Sequence, residues 1–423
     1  MARVFFRNAN LLDGKGAPKP KMTVVLEGDR ISLVTPDHQA PRAEQQDEVY
    51  DLGGRSLMPG LIQGHCHLAY TNIVAMSDVD LLHPAAYLGI IAAKNAELML
   101  KSGYTGAIGA GAMHNIDVLL KQAINEGAIQ GPRIFPCGRD IVATGDSIDC
   151  HPSWWKIGLD GLAAICDGPD EFRKAVRTEL KDGVRIVKLF ITGGHGVTLP
   201  ANEMMMSQAE LDAAVEAAHD RGALARGHVV SKRGIMAALD AGLDVLDHGD
   251  MIDDECIERI LKNKSFVVPS IYFPYLIAKQ MEQPGAPPFP GLDALKRSLE
   301  HSLKVVPAAH NAGVKMLVGD DFGAKALPHG DYAKEMEMYV EWAGIPALDV
   351  LGWATRNGAE LMGMQDDLGT IEAGKLADLL VVDGDPSQDI KLLQDRANLH
   401  VVMKGGQFVT KLIDQVHEAF AAA

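Results

Sequence analysis

The chain has few cysteines, few aromatic residues and few basic residues for its 423 positions, and each shortage excludes a class of protein. Its five cysteines are an odd number without a C-x-x-C pair, which argues against a disulfide framework and against a thiolate zinc site. The chain has 40 basic and 56 acidic side chains, so its net charge is −16. Nucleic acids and anionic membrane surfaces bind cationic proteins, and we therefore expect neither as a partner.

The sequence also lacks targeting and membrane signals. Its start has no basic segment followed by an apolar one, as a signal peptide would have. No apolar run reaches the roughly 18 residues that a helix needs to span a bilayer. With 47% hydrophobic and 23% charged residues, the composition is that of an ordinary globular protein. We therefore expect a cytoplasmic protein.

Short apolar runs near both ends of the chain predict a small β domain. Residues 1–60 contain several such runs separated by Gly, Asp, Lys and Pro turn clusters, and residues 362–423 contain two more. Because these strands have few partners nearby in sequence, we expect the two ends to pair with each other. The result would be a composite β-sandwich domain.

Residues 61–361 alternate between strands and helices, the pattern of a parallel α/β protein. One intervening helix begins with Ser207 and Glu210 in a capping box. Eight such units predict a catalytic (β/α)₈ TIM-type barrel, whose chemistry lies at the carboxyl ends of the strands. The predicted strands are Leu61–His67, Gly106–Ala110, Arg133–Ile141, Arg185–Ile191, Ala223–Val229, Asp244–His248, Phe266–Ile271 and Lys315–Asp321.

Histidine, lysine and aspartate residues recur at the carboxyl ends of these predicted strands. His65 and His67 alternate on one strand, so their side chains point the same way. Each residue alone could be an ordinary core residue or a helix cap, but their joint placement favours a metal site for Zn²⁺ or a neighbouring first-row ion. The remaining members of the set are Lys188, His228, His248 and Asp321.

The chain resembles the binuclear metal-dependent branch of the amidohydrolase superfamily, which includes Xaa-Pro dipeptidases and ochratoxin-type amide hydrolases. The resemblance extends nearly from end to end. It implies a (β/α)₈ barrel with a β-sandwich built from both termini, and hydrolysis of a carbon–nitrogen bond in a small amide substrate. The motifs that carry it are MPGLIQGHCHL, VKLFITGG, GHVVSKRGI, LDHGDMIDDE, the GDD stretch ending at Asp321, and GTIEAGKLADLLVVDGDP.

The same resemblance implies two divalent metal ions, expected to be Zn²⁺. Lys188 would react with carbon dioxide, and the resulting carbamate would bridge the ions. Two cations that share a water lower its pKa, so that hydroxide exists near neutral pH, and Asp321 would accept the proton. The implied ligands are His65, His67 and Asp321 for the first ion and His228 and His248 for the second.

Two departures from the family pattern bear on the substrate. Relatives that remove a C-terminal amino acid often carry His-Ala-Tyr on strand five, where this chain has Val230 in place of tyrosine. They also have a histidine after strand three, where this chain has Ser147 followed by His151. We expect His151 to polarise the scissile carbonyl and His195 to lie at the barrel mouth, with an exposed loop position as the alternative for both.

Further residues are candidate substrate contacts. Asp320 precedes the predicted ligand and could support the metal site or cap a helix. Arg226 could bind a substrate carboxylate or pair with a strand-end aspartate such as Asp247. Of the adjacent Trp154 and Trp155, one could stack on a substrate ring, or both could anchor the loop.

Two classes of function remain, an amide hydrolase and a catalytically inactive metal-binding barrel. The complete ligand set favours the hydrolase. N-acyl amino acids or dipeptide-like amides are the leading substrates, with carbamates, phenylureas or aryl amides as the alternative. Residues 271–291 are rich in proline and aromatic residues and predict a loop that covers the barrel mouth or contacts another subunit, and we expect a homo-oligomer.

Overall fold

The computed structural model describes residues 2–149, 152–154, 161–197, 199–286, 289 and 291–416. The chain divides into two compact units. One contains Met1–Ile62, Leu98–Gly106 and Ile345–Ala423, and the other contains Gln63–Glu97 and Ala107–Gly344. The predicted domain boundaries, residues 1–60 with 362–423 for one domain and residues 61–361 for the other, stay a prediction.

The described residues form 18 β-strands and 12 α-helices. Strands β1 to β18 are Arg3–Leu11, Lys19–Glu27, Arg30–Pro36, Glu48–Asp51, Ser56–Pro59, Leu61–Cys66, Tyr104–Gly109, Arg133–Phe135, Asp140–Val142, Ala163–Ile165, Ile186–Phe190, Leu224–Val229, Val245–His248, Phe266–Val268, Lys315–Met316, Leu379–Val382, Leu399–Lys404 and Gln407–Lys411. Helices α1 to α12 are Asp78–Leu81, Ala85–Lys101, Ile116–Asn125, Pro169–Asp182, Gln208–His219, Lys232–Ala241, Asp254–Asn263, Tyr272–Met281, Leu292–Asn311, Lys334–Glu341, Ala347–Gly352 and Gly358–Leu361.

The first unit contains a mixed β-sheet to which both ends of the chain contribute. Its strand order is β18-β17-β16-β5-β1-β2-β3, with β4 beside β1. The expected pairing of the two ends is present, because β16 runs antiparallel to β5 with Leu380 opposite Met58. The β2–β3 hairpin turns at Gly28, whose φ of 63° is a conformation that glycine adopts without a steric penalty.

The second unit contains the predicted parallel barrel. Seven strands follow one another in the order β10-β9-β11-β12-β13-β14-β15, and β6-β7-β8 form the other group. A backbone hydrogen bond from Gly64 to Val318 (2.7 Å) joins these groups on one side, and one from Arg185 to Pro136 (2.9 Å) joins them on the other. The fold class is therefore confirmed as a TIM-type barrel, and the carboxyl ends of its strands share one face.

The predicted strand Arg133–Ile141 is wrong in one respect, because it is two strands, β8 and β9. The break falls at Pro136, which has no N–H to donate, and at Gly138, whose φ is 70°. The backbone N–H groups of Cys137 and Gly138 donate instead to the Asp117 carboxylate at 2.5 and 3.1 Å. This interruption lets the chain turn before β9 enters the barrel.

Two helices illustrate local sequence signals. Ser207 and Glu210 form the predicted capping box at the start of α5. Helix α8 occupies residues that were expected to form a loop, and its Pro274 lies in the first turn, where a missing N–H leaves no hydrogen bond unmade. No helix in the described part of the chain is long and apolar enough to cross a membrane.

Candidate metal centre

His65, His67 and Asp321 meet at the carboxyl face of the barrel. The Nε2 atom of His65 lies 3.1 Å from His67 Nε2 and 3.0 Å from Asp321 Oδ1. His67 Nε2 is 3.3 Å from the same carboxylate oxygen. The two histidines alternate at the end of β6, as the sequence predicted, and Asp321 follows β15.

Hydrogen bonds behind this cluster determine which ring nitrogens face it. His67 Nδ1 lies 2.9 Å from the carbonyl oxygen of Gly111, which can only accept, so the proton is on Nδ1 and Nε2 carries a free lone pair. Asp247 Oδ1 lies 3.2 Å from His65 Nδ1 and has the same orienting role. Three electron-pair donors therefore converge, an arrangement that a divalent cation stabilises.

Asp247 is a buried carboxylate that contacts Lys188, Arg226 and His65 next to this site. Lys188 donates from Nζ to Asp247 Oδ2 at 2.6 Å, and Arg226 donates from Nε to the same oxygen at 3.1 Å. Burial opposes the ionisation of Asp247, but Arg226 and Lys188 hold its pKa well below the usual aspartate range. The amine of Lys188 therefore lies inside the barrel, within the predicted ligand cluster.

The guanidinium of Arg226 is fully buried, and four of its five N–H groups donate to oxygen atoms. Its Nη1 donates to the carbonyl oxygens of Gly64 (3.1 Å) and Gly109 (2.7 Å), while Nε and Nη2 donate to Asp247. The remaining contact of Nη2 is with His65 Nδ1 at 3.2 Å. Arg226 thus pairs with Asp247, and because its side chain has no exposed surface it cannot bind a substrate carboxylate.

Three more histidine rings adjoin the first cluster. His195 stacks on His248 with 3.7 Å between ring centroids, and His228 lies 4.6 Å from His248. His195 Nε2, His228 Nε2 and His248 Nδ1 are buried without a hydrogen-bond partner. Burial lowers the pKa of His228 and His248 well below the usual histidine range, so both rings are neutral and have lone pairs to offer. The candidate ligand atoms of His195, His248 and Asp321 lie within 4.8 Å of one another.

His195 lies deeper than the barrel-mouth position expected for it, since it is only 4% exposed. Its Nδ1 is 2.9 Å from Asp250 Oδ1, and the other oxygen of Asp250 accepts a hydrogen bond from Ser298 at 2.7 Å. Burial would lower the pKa of His195, but the Asp250 carboxylate raises it to about 9. Sequence reasoning missed Asp250, although it follows His248 by two positions in the same LDHGD stretch.

Asp320 caps a helix with one carboxylate oxygen and, with Oδ1, accepts the backbone N–H of the predicted ligand Asp321 at 2.8 Å. Its Oδ2 accepts the backbone N–H groups of Tyr272 (2.8 Å) and Phe273 (3.2 Å) at the start of α8. Burial and the neighbouring charge of Asp321 raise the pKa of Asp320 to about 7. The structure shows the helix cap, and the hydrogen bond to Asp321 is compatible with support of the metal site as well.

The remaining candidate substrate contacts are Val230, Trp154, His151 and Trp155, and the structure describes two of them. Val230 is buried and packs against Gly194, so it offers an apolar surface where relatives have a tyrosine. Trp154 is 76% exposed. His151 and Trp155 lie outside the described residues.

The donor set fits a divalent metal ion. Each buried polar atom without a partner costs about 1–3 kcal/mol, and the unpaired nitrogens of the neutral His228 and His248 rings adjoin a cluster of converging lone pairs. Neutral imidazole and carboxylate are the ligands that zinc and related ions bind. The arrangement has the donors for metal-assisted hydrolysis.

A sequence model described as Amidohydrolase family matches residues 56–409. The chain belongs to the amidohydrolase family, as its motifs predicted, and it is a hydrolase that acts on carbon–nitrogen bonds. Members of this family are typically metal-dependent.

Relatives with known functions resemble the chain over nearly its whole length. Ochratoxinase from Aspergillus niger is 28% identical over 426 aligned residues, which cover 94% of this chain and 84% of the relative. The structure of a prolidase complexed with N-methylphosphonate-L-proline has a TM-score of 0.87 at 28% identity and covers 97% of this chain and 100% of its own. A Xaa-Pro dipeptidase with bound methionine in the active site has a TM-score of 0.86 at 28% identity, with coverage of 98% and 100%. These likenesses confirm the fold and support amide-bond hydrolysis.

Proposed function

We propose that this protein hydrolyses amide bonds of small, peptide-like substrates at a centre of two divalent ions, with Zn²⁺ as the native metal. The observation that carries the proposal is the convergence of His65, His67 and Asp321 beside a second group of buried histidines. Bound ions would polarise the substrate carbonyl and lower the pKa of a water molecule. Dipeptide-like amides and N-acyl amino acids are the proposed substrates.

The proposed ligands divide between the two ions as the family pattern implies. Lys188, carboxylated by carbon dioxide, is the proposed bridge. Its amine lies in the barrel interior at 2% exposure, and an ammonium group there would repel both ions unless it were converted to an anion. His195 is not included among the ligands, because Asp250 raises its pKa to about 9 and a protonated imidazole has no lone pair for a metal ion. The proposed set is His65, His67 and Asp321 for the first ion and His228 and His248 for the second.

Asp321 is the proposed general base. Its side chain is 24% exposed, whereas that of His65 is fully buried, so a water molecule can reach the carboxylate. Burial opposes its ionisation, but contacts with His65 and His67 hold the pKa of Asp321 well below the usual range. A carboxylate can accept the proton of a water whose own pKa has been lowered. His151 is proposed, on sequence grounds, to polarise the scissile carbonyl.

A hydrolase of carbamates, phenylureas or aryl amides is the second candidate. The engagement of Arg226 with Asp247 favours it, because this cation cannot also hold a substrate's terminal carboxylate. Val230 is likewise unable to donate a hydrogen bond. An inactive metal-binding barrel has less support, since every predicted metal ligand is present in the sequence.

The function can be tested with protein loaded with zinc, cobalt or manganese and assayed against dipeptide, acyl-amino acid, carbamate and phenylurea libraries. We expect hydrolysis of an amide class that Asp321→Asn abolishes. Asp170→Asn is the matched control, because Asp170 has a fully exposed side chain on α4. A protein that binds two metal equivalents and hydrolyses nothing would contradict the proposal and indicate the inactive barrel.

We also propose a cytoplasmic homo-oligomer. The four cysteines in the described part of the chain are free and buried, which is compatible with a reducing compartment. Val74 and Ile90 are 74% and 69% exposed, and a second subunit could cover such apolar surface. Light scattering after size-exclusion chromatography would give the oligomeric state, and a monomer would contradict this part of the proposal.

A further inference from the structure

Three buried polar atoms on one short stretch of the barrel have no hydrogen-bond partner. They are Asp140 Oδ2, Asp146 Oδ2 and Ser147 Oγ, and each of these residues is at most 5% exposed. Buried polar groups in native proteins are nearly always paired. Such a group of unpaired acceptors is therefore a candidate binding site for a hydrogen-bond donor.

Asp140 connects this stretch to the metal centre. It lies on β9 as the Cα partner of Lys188 on β11, so both side chains point to the same side of the sheet. Its carboxylate also packs against Gly111, where an added Cβ would come within 2.5 Å of Asp140 Oδ2. The carbonyl of Gly111 is the group that orients His67. Since β9 ends at Val142, the residues that follow lie at the carboxyl face, where the chemistry of such barrels occurs.

The carboxyl group of Asp146 has one oxygen in use and one that is free. Oδ1 accepts the backbone N–H of Ile148 at 3.1 Å, whereas Oδ2 accepts nothing. Burial raises the pKa of Asp146 to about 7, and the negative charge of Asp140 contributes in the same direction. No basic side chain among the described residues forms an ion pair with Asp146, so a cation would stabilise its charged form.

The missing partner can be identified by its chemistry. An ammonium group has several N–H donors and a positive charge, and it can donate to Asp146 Oδ2 and to Ser147 Oγ together. In an amide of an amino acid, a single carbon atom separates the amino group from the scissile carbonyl. An amine bound after β9, at the carboxyl face of the barrel, would therefore keep that carbonyl on the same face as the metal centre.

We propose that Asp146 and Ser147 form a subsite for a free amino group of the substrate. The enzyme would then prefer amides in which the α-amine of the acyl residue is unblocked. The inference rests on the proposed amide hydrolysis and narrows its substrate class from acylated compounds to aminoacyl amides.

Turnover of two matched substrates by the metal-loaded enzyme tests the subsite. L-alanyl-L-alaninamide and propionyl-L-alaninamide differ only in the amino group, and we expect kcat/KM to be at least about tenfold higher for the first. Asp146→Asn should remove this preference, mainly through KM, while its amide oxygen can still accept the N–H of Ile148. Ser147→Ala should weaken the preference, and Asp170→Asn should leave it unchanged. Equal kcat/KM for both substrates in the wild-type enzyme would overturn the inference.

Calorimetric binding of L-alaninamide and propionamide separates this inference from the proposed function. If the enzyme hydrolyses neither alanine substrate, the proposed substrate class is wrong and the binding data decide the subsite. Tighter binding of L-alaninamide by the wild-type enzyme, lost in Asp146→Asn, supports the subsite. Equal binding of both compounds, or an unchanged preference in Asp146→Asn, overturns it, since the amine would then interact elsewhere.

Discussion

Replacement of Asp247 by asparagine tests the charge arrangement beneath the metal centre. The carboxylate is fully buried and contacts Lys188 Nζ at 2.6 Å, Arg226 Nε at 3.1 Å and His65 Nδ1 at 3.2 Å. Asp247→Asn preserves the size of the side chain but leaves two buried cations without their counterion. Removal of one partner from a buried ion pair typically costs about 3–5 kcal/mol. We expect the metal-free protein to lose about that much of its free energy of unfolding.

Urea denaturation of metal-free protein measures this loss, because Lys188 is then an amine. Asp240→Asn is the matched control, since Asp240 pairs with Arg259 in a partly exposed position and should cost at most about 1 kcal/mol. Asp247→Asn should also weaken zinc binding by about 10- to 100-fold, because a neutral amide oxygen is a weaker acceptor than a carboxylate for the N–H that orients His65. Equal effects of the two substitutions on stability and on zinc affinity would refute the role assigned to Asp247.

Three further predictions concern the ions, the lysine and the substrate charge. Protein prepared without chelator should contain about two equivalents of divalent metal per chain; one equivalent, unchanged in His228→Ala, would remove the second ion. Lys188→Ala should lose metal and activity together, and short carboxylic acids should partly restore both, whereas full activity of Lys188→Arg would exclude the bridging role. Because Arg226 is engaged with Asp247, we expect the methyl amide of an acyl-amino acid to have a kcat/KM at least as high as that of the free acid. A preference of a hundredfold or more for the free acid, which corresponds to about 2.7 kcal/mol, would reveal a dedicated carboxylate site.

Much of the architecture was predictable from local patterns. Alternation of strands and helices indicates a parallel barrel, because each βα unit must bury its apolar face against the next. Residues such as His65 and His228 could be assigned to one face, since the carboxyl ends of parallel strands meet there. Strand limits were harder to predict, and the break at Pro136 and Gly138 depends on the distant carboxylate of Asp117.

Contacts between strands that are far apart in sequence were decided only by the tertiary structure. Arg226 and Asp247 were a possible pair from sequence, but only the packed barrel shows that the carbonyls of Gly64 and Gly109 accept both hydrogens of Nη1. The burial of His195 against His248 likewise depends on how one loop folds over another strand. The alternation of residues along a strand predicts which side of the sheet a side chain faces. The residue that it contacts depends on strand register and on loop packing across the whole barrel.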